Sequence, residues 1–552
     1  MQKVLTAEEM REVDRLTTEK YGIPSILLME NAAHAAARII TEKLGGSVAG
    51  KSFLILCGKG NNGGDGAALA RILTSQGADV YAFLFGKIEE TKGDAKVNFE
   101  ILQSFMDLNE EDTNTIFWDE NVVNFYSELD STIEIVNKFD AVVDAFFGTG
   151  LTRPLEESFA SQIETIFTLL SYSKHKYPLI VSLDIPSGLN ADLPEIIGKN
   201  IYAQKIYAHL TITFTAPKLA NVFPPASRFN GELVIANIGS HRKLIEDSPS
   251  KLFLAEKQDA QDWLNKTKVR IDSYKKTRGT ALIVAGSKNY SGAAVLAANA
   301  CFSAGAGMVT VAVPNAVQAI VATKVLDEII TRGFGETKHG AFAESAAKDV
   351  LALSEKSVVA AIGCGLSSNE ASTRKFVREV VEQRTTPMVI DADGLNALAP
   401  FDLKGSDELP LILTPHIGEL NKLIGKKEIA DKIETARAFA KKHHVILLLK
   451  GERSIVAAPN GNVVINPTGN AGISRAGAGD TLTGILTSFL AQTFAVEKPN
   501  LENAFETVVA ALYIAGLAGD AAAEKFGQRL MTATDIRECL VSIMDLQANF
   551  LK

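Results

Sequence analysis

The chain has 552 residues, several times the length of an ordinary domain, so at least two domains are expected. Its 46% hydrophobic and 22% charged content excludes a largely disordered chain. The net charge of −9 is spread along the whole length and argues against a nucleic-acid backbone as partner, while four well-separated cysteines without a CxxC pair imply neither a disulfide framework nor a zinc site.

The opening MQKVLTAEEMREVDRL carries acids early and has no apolar run, so it does not read as a signal peptide, and a reducing, cytoplasmic setting is expected. Strand-like apolar runs then follow in order: FLILC at 53, VYAFLF at 80, AVVDAFFG at 141, LIVSLDIP at 179 and a last one at Glu232–Ile238. A charged segment between Gly239 and Trp263, with Pro249 inside it, separates two halves. It predicts domains at 1–240 and 266–552 with a linker region at 241–265. The second half repeats the pattern with TALIVAG at 280, MVTVAV at 308, VVAAIG at 358, PMVIDA at 387, LILTP at 411 and VILLLKG at 445. Buried β-branched runs alternating with helices predict parallel sheets covered on both faces, an α/β protein. The uncharged stretch Asn289–Thr323 is broken by Gly305, Gly307 and Pro314. It reads as a buried helix, Gly292–Ser303, running into a strand, Met308–Val313, and not as a membrane span.

In the first half FLILC ends in GKGNNGGDG, Gly58–Gly66, and a helix ALARILTSQG is expected to follow. Glycines let a backbone approach a ligand closely, and amides at a helix N-terminus favour an anion. Gly58, Gly60 and Gly63 satisfy GxGxxG, but the next strand ends in Gly-Lys where an ordinary dinucleotide site needs an acid. A tight strand-to-helix turn explains the glycines equally well. Asn61, Asn62 and Asp65 are a denser polar set than packing needs. Asp144 in DAFFGTGLTRP and Asp184 in SLDIPSGL stand at two further strand ends, where ligands of parallel sheets sit. Either Asp taken singly reads as a cap or turn residue; the trio with its glycine turns reads as a ligand site.

These three segments, with MENAAHAAA before them, resemble the YjeF N-terminal domain of the NAD(P)H-hydrate epimerase family over residues 5–240. The resemblance implies a Rossmann-like three-layer α/β/α domain that interconverts the R and S epimers of NAD(P)H hydrated at C6. It implies substrate contacts at Asn61, Asn62, Gly63, Gly64 and Asp65, and at Gly148, Thr149, Gly150, Leu151, Thr152, Arg153 and Pro154. It also implies a potassium ion near Asn62, Asp144 and Ser187, with Asp184 as the catalytic proton carrier at the nicotinamide.

In the second half the densest signal is NPTGNAGISRAGAGDTLTGIL, Asn466–Leu486. A glycine loop leads into a helix that opens with Asp480 and Thr481, which supplies an anion hole and a base, as phosphoryl transfer to an alcohol requires. Asp480 standing alone would also read as a helix cap. There is no GxxxxGK[ST], so this is not a P-loop enzyme. His416 could be a core histidine and Lys450 a solvated strand end; TPHIGE after one strand and LLKGERS after another favour ligand contacts.

GAGD followed by a helix resembles the ribokinase-like superfamily. YKKTRGTALIVAGSKNYSGAAVLAA, VIDADGLNAL, LTPHIGEL, LLKGERS and NPTGNAGISRAGAGD occur in the order of its ADP/ATP-dependent NAD(P)H-hydrate dehydratases. The resemblance implies a hydrate site at Ala293, Gly365, His416 and Asp480, with Asp480 as base. It implies a nucleotide site at Lys450, Gly451, Glu452, Arg453, Ser454 and Gly479, with magnesium on the phosphates of ADP or ATP. The chain departs from that pattern at Lys275–Lys276, where a glycine is lost, at Ala294 in place of proline and at Ser454 in place of threonine. The expected whole is a homo-oligomeric bifunctional cofactor-repair enzyme acting on small molecules, with no nucleic acid or membrane. The competing readings are a ribokinase-like vitamin or sugar kinase fused to a nucleotide-binding module, and an N-terminal half that binds without catalysing.

Overall fold

The computed structural model describes residues 1–107, 139–152, 155, 161, 177–194 and 205–544. The chain divides into two compact units, Lys3–Ser250 and Lys251–Lys552, the latter joined by Met1–Gln2.

The N-terminal unit is built on six strands in the spatial order Asp79–Leu84, Ser52–Cys57, Ala141–Ala145, Leu179–Leu183, Leu210–Phe214 and Glu232–Ala236. Every neighbouring pair is parallel. The central strands are buried almost throughout, which is why they read as continuous apolar runs without alternation. Chain order reverses at Ser52–Cys57: the next strand lies on one side of it and the one after on the other. Such a switch point opens a crevice at the carboxyl ends of the strands. Leu69, Ile72 and Leu73 of helix Asn61–Ser75 and Ala33, Ala36 and Ile40 of helix Ser25–Lys43 belong to the same buried core as Phe53 and Ile55.

The C-terminal unit holds an eleven-stranded sheet. Its parallel centre runs Ile446–Leu449, Leu411–Leu413, Met388–Ile390, Val359–Ile362, Thr280–Val284, Met308–Pro314 and Ile330–Phe334. Strands Ile455–Ala457 and Val463–Ile465 continue it antiparallel, and Leu252–Leu254 then pairs parallel with Val463–Ile465. Residues 251–266 are therefore built into this unit. Helix Lys257–Lys266 stacks Trp263 on Phe489 at 3.8 Å between ring centres, and the indole N–H donates to Thr493 Oγ1 at 3.0 Å. The uncharged stretch forms helix Ser291–Ser303 and strand Met308–Pro314, both lodged in the core. Helix Leu501–Phe526 is long and apolar enough to cross a membrane, but its apolar residues are mostly buried in this same core.

Candidate active sites

In the N-terminal unit the strand Ser52–Cys57 turns through Gly58–Gly60 directly into the helix, which starts at Asn61, so NNGGD is the helix's first turn and not a loop before it. Packing demands most of the glycines. A Cβ at Gly63 would lie 1.7 Å from Gly58 O, one at Gly58 2.1 Å from Phe146 O, and one at Gly64 2.7 Å from Ala95 Cα. Only glycine lets the helix start this close to its own strand. Gly60 has open space around it.

The helix mouth faces a cavity of about 870 Å³. Asn61, Asn62, Asp65, Gly148, Thr149, Gly150, Leu151 and Asp184 border it, so three separate stretches of the chain converge there. Gly63 and Gly64 face the protein interior instead. Arg153 and Pro154 lie outside the described residues.

Asp184 takes a left-handed backbone (φ 65°) at the end of its strand. Its Oδ1 accepts from Lys218 Nζ at 2.5 Å and from Thr213 Oγ1 at 3.2 Å. Lys218 is 1% exposed and also donates to Thr213 Oγ1 and Phe214 O. Two more carboxyls join this pair on the cavity wall. Burial pushes Asp14 up to about 6, with Lys218 opposing and Asp184 adding. Asp65 borders the cavity half-buried, and burial, with Asp184 and Asp14, raises it well above the usual carboxylate range.

Asp144 is fully buried. Its carboxylate accepts from Ser187 Oγ (2.6 Å), Ser187 N (2.9 Å), Ser182 Oγ (2.8 Å) and Phe146 N (3.3 Å). Burial still lifts it to about 6 against those bonds. Asn62 is its opposite: 7% exposed, with neither amide atom bonded to a described residue. A buried unpaired amide is unfavourable by about 1–3 kcal/mol, so an absent group is its natural partner. A cation fits this donor set in part. The Asn62 carbonyl oxygen is available and Asp144 supplies charge, whereas the Ser187 hydroxyl is already engaged with Asp144 and Phe147 N.

In the C-terminal unit the left-handed Gly477 turns the chain into helix Ala478–Val496. Asp480, in its first turn, is pushed up to about 6 by burial and by Asp391, against a hydrogen bond from the Cys364 thiol. Asp391 is 2% exposed and stands at the N-terminal cap position of its helix after strand Met388–Ile390, without a side-chain capping bond. It accepts from Lys450 Nζ at 2.6 Å and from Thr483 Oγ1 at 2.8 Å. Burial opposes the Lys450 charge, but Asp391 beside it holds its pKa above the ordinary lysine value. A Cβ on Gly479 would lie 3.6 Å from Lys450 Nζ and 3.7 Å from Asp391 Oδ2, and one on Gly365 would lie 2.8 Å from Ala293 Cβ. Gly479, Asp480 and Lys450 thus form one cluster, with Gly365, next to Cys364, against Ala293. Ala294, the residue in proline's usual place, is fully buried within an uninterrupted helix.

His416 is an N-cap. Its Nδ1 accepts from Gly418 N at 3.0 Å and Glu419 N at 3.3 Å, while His416 N donates to Glu419 Oε2 at 2.9 Å. Lys450 N donates to Pro415 O, which sets the two segments side by side. Gly451–Ser454 is a tight turn closed by Gly451 N to Ser454 Oγ at 3.3 Å, with Glu452 exposed on it and the Arg453 guanidinium bonded to Pro467 O.

The family described as YjeF-related protein N-terminus matches residues 25–220, and NAD(P)H-hydrate dehydratase matches residues 281–542. The bifunctional NAD(P)H-hydrate repair enzyme of Moorella thermoacetica is 38% identical over 98% of this chain and 96% of its own length. That of Thermofilum pendens is 33% identical over 98% and 95%. The chain belongs to the bifunctional NAD(P)H-hydrate repair enzymes. A solved ADP/ATP-dependent NAD(P)H-hydrate dehydratase from Bacillus subtilis, co-crystallised with ATP and magnesium, is 28% identical over 50% of this chain and 93% of that one, with a TM-score of 0.43.

Sequence reasoning passed over several groups of this repair-enzyme chain. Lys218 sits in the apolar stretch ITFTAPKLANVF, where a lone lysine could have been singled out. Asp391 ends the strand in VIDADG, at the position that drew attention to Asp144 and Asp184. Asp14 carries no such signal: in AEEMREVDRL it looks like one more charge on an amphipathic helix.

Proposed function

We propose that the N-terminal unit interconverts the R and S epimers of NADH or NADPH hydrated at C6. The C-terminal unit dehydrates the S epimer to NAD(P)H at the expense of ADP or ATP. The observation that carries the reading is that each unit pairs a candidate proton carrier with a lysine held by a carboxylate: Asp184 with the buried Lys218 at 2.5 Å, and Asp480 with the half-buried Lys450, itself 2.6 Å from Asp391.

Epimerisation breaks and remakes one bond at C6 while a proton is removed and returned. Asp184, held by Lys218 at the edge of the cavity, is the group for that proton. Asn61, Asn62, Asp65 and Gly148–Leu151 hold the hydrate. A potassium ion, taking Asn62 as a donor near the charge of Asp144, would add positive charge at the phosphate or ring end of the site.

In the second unit Asp480 takes the proton of the C6 hydroxyl as that oxygen attacks the terminal phosphorus of the nucleotide. Phosphate then leaves C6 with the bonding pair, the ring nitrogen supplies electrons, and loss of a C5 proton restores the dihydronicotinamide. Lys450 and the turn Gly451–Ser454, with Gly479, would hold the nucleotide phosphates, and magnesium on those phosphates would supply further positive charge. Ala293, Gly365 and His416 bound the hydrate. A dehydratase restricted to one epimer would strand the other, so the two activities belong on one chain.

The test mixes both epimers of hydrated NADH with the protein, potassium, magnesium and either nucleotide. Reduced-nicotinamide absorbance and chromatography of each epimer are followed. Full, nucleotide-dependent recovery is expected. Recovery that stops when the S epimer is exhausted would remove the epimerase, and a stable phosphorylated alcohol in place of NADH would favour a kinase.

A further inference from the structure

We propose that Asp14 is the second proton-carrying group of the epimerisation, acting with Asp184 across the same cavity. The inference rests on the epimerase reading above. Asp14 reaches the cavity from helix Ala7–Tyr21, whereas Asp184 comes from a strand end. Its Oδ1 is shut from solvent and bonded to no described residue. Asp14, Asp65 and Asp184 border one cavity with a single buried lysine among them. Three carboxylates cannot all stay charged around one ammonium. Lys218 is bonded to Asp184, so the ammonium is committed there. Asp14 has no such bond, and burial with the nearby Asp184 pushes it up to about 6, so it gives and takes a proton near neutrality. The other charged groups on the cavity wall are Arg11 on the same helix, Lys59, which is paired with Glu90, and Asp94. A lysine-bound carboxylate and a second carboxyl without such a partner, facing the same space, is the arrangement of an acid–base pair.

A hydrate at C6 carries the ring nitrogen N1 and the hydroxyl on one carbon. Asp184 takes the hydroxyl proton, the oxygen pair forms the carbonyl, and the C6–N1 pair passes to nitrogen. Asp14 gives its proton to N1, leaving an open-chain aldehyde. Rotation about C5–C6 presents the other carbonyl face. N1 attacks it, Asp14 recovers its proton from N1, and Asp184 returns the first proton to oxygen. Nothing is oxidised, and no further reactant is consumed.

The test uses the full chain with Asp14→Asn, following epimer interconversion by chromatography across pH. Epimerisation is expected to fall by about 10²-fold or more in kcat with little change in KM. The limb of the pH profile near 6 should vanish, and Asp14→Glu should restore part of the rate. Unchanged denaturant unfolding of the N-terminal unit in the same preparation reports that the variant is folded. Asp14→Asn turning over like the wild type, or slower with the wild-type pH profile and no rescue by glutamate, would overturn the proposal. Should Asp14→Asn not fold, Asp14→Glu decides: a shifted limb supports the role and an unmoved limb overturns it. A wild-type chain that leaves the R epimer untouched would instead bring down the epimerase reading itself.

Discussion

Replacing Lys218 with methionine keeps the length of the side chain and removes its charge. The ammonium lies 2.5 Å from Asp184 Oδ1, and at an effective dielectric of about 20 that spacing corresponds to an attraction of about 6–7 kcal/mol. Burying the ammonium at 1% exposure offsets part of this, and removing one partner of a buried pair costs about 3–5 kcal/mol in proteins generally. Asp184 keeps some contact with the cavity, its side chain being 13% exposed, so the lower end, about 3 kcal/mol, is expected. The deficit should appear in denaturant unfolding of the N-terminal unit and shrink as pH falls, because protonation of Asp14, already raised to about 6, removes a charge that Lys218 offsets. Asp184→Asn combined with Lys218→Met should recover about 2 kcal/mol or more relative to the sum of the single changes. A Lys218→Met chain as stable as wild type, or a deficit that does not vary with pH, would refute the argument.

The glycines separate by what surrounds them. Gly63→Ala would drive a Cβ to 1.7 Å from Gly58 O and should destabilise the N-terminal unit by about 3 kcal/mol or more; Gly60→Ala, with nothing within 4 Å, should change it by less than about 1 kcal/mol, both read from thermal unfolding. Asn62→Leu removes an amide without partners, so in potassium-free buffer it should stabilise the protein by about 1 kcal/mol while abolishing epimerisation; a destabilised variant would show that the amide is already satisfied. Dehydration needs Asp480 ionised, so kcat/KM should fall about tenfold per pH unit below about 6 and drop by about 10²–10⁴ in Asp480→Asn. Because folding raises Asp480 from 3.8 to about 6, its contribution to stability is full at low pH and is lost as pH rises through 6. Asp480→Asn should therefore be more stable than wild type above that pH, by up to about 3 kcal/mol, and equal stability there would contradict the assigned burial.

The order of apolar runs was enough to specify two parallel-sheet units, because strands buried on both faces must be apolar throughout, as Ala141–Ala145 and Leu210–Phe214 are. The glycine-rich turns and the acids at strand ends were legible for the same reason: a parallel sheet brings all its carboxyl ends to one edge, so Asn62, Asp65 and Asp184 could be assigned to one crevice without coordinates. The sequence could not separate glycines that admit a ligand from those that admit neighbouring backbone, since both need only a missing Cβ. Distances decided that for Gly58 and Gly63. Nor could it pair Lys218 with Asp184, or Lys450 with Asp391, across 34 and 59 residues. Asp14 is the extreme case. On its own helix it is an ordinary charge, and only the packing of that helix against the cavity puts it beside two other carboxylates and a buried lysine. Charge interactions depend on spatial distance and enclosure, which the chain acquires only when it folds.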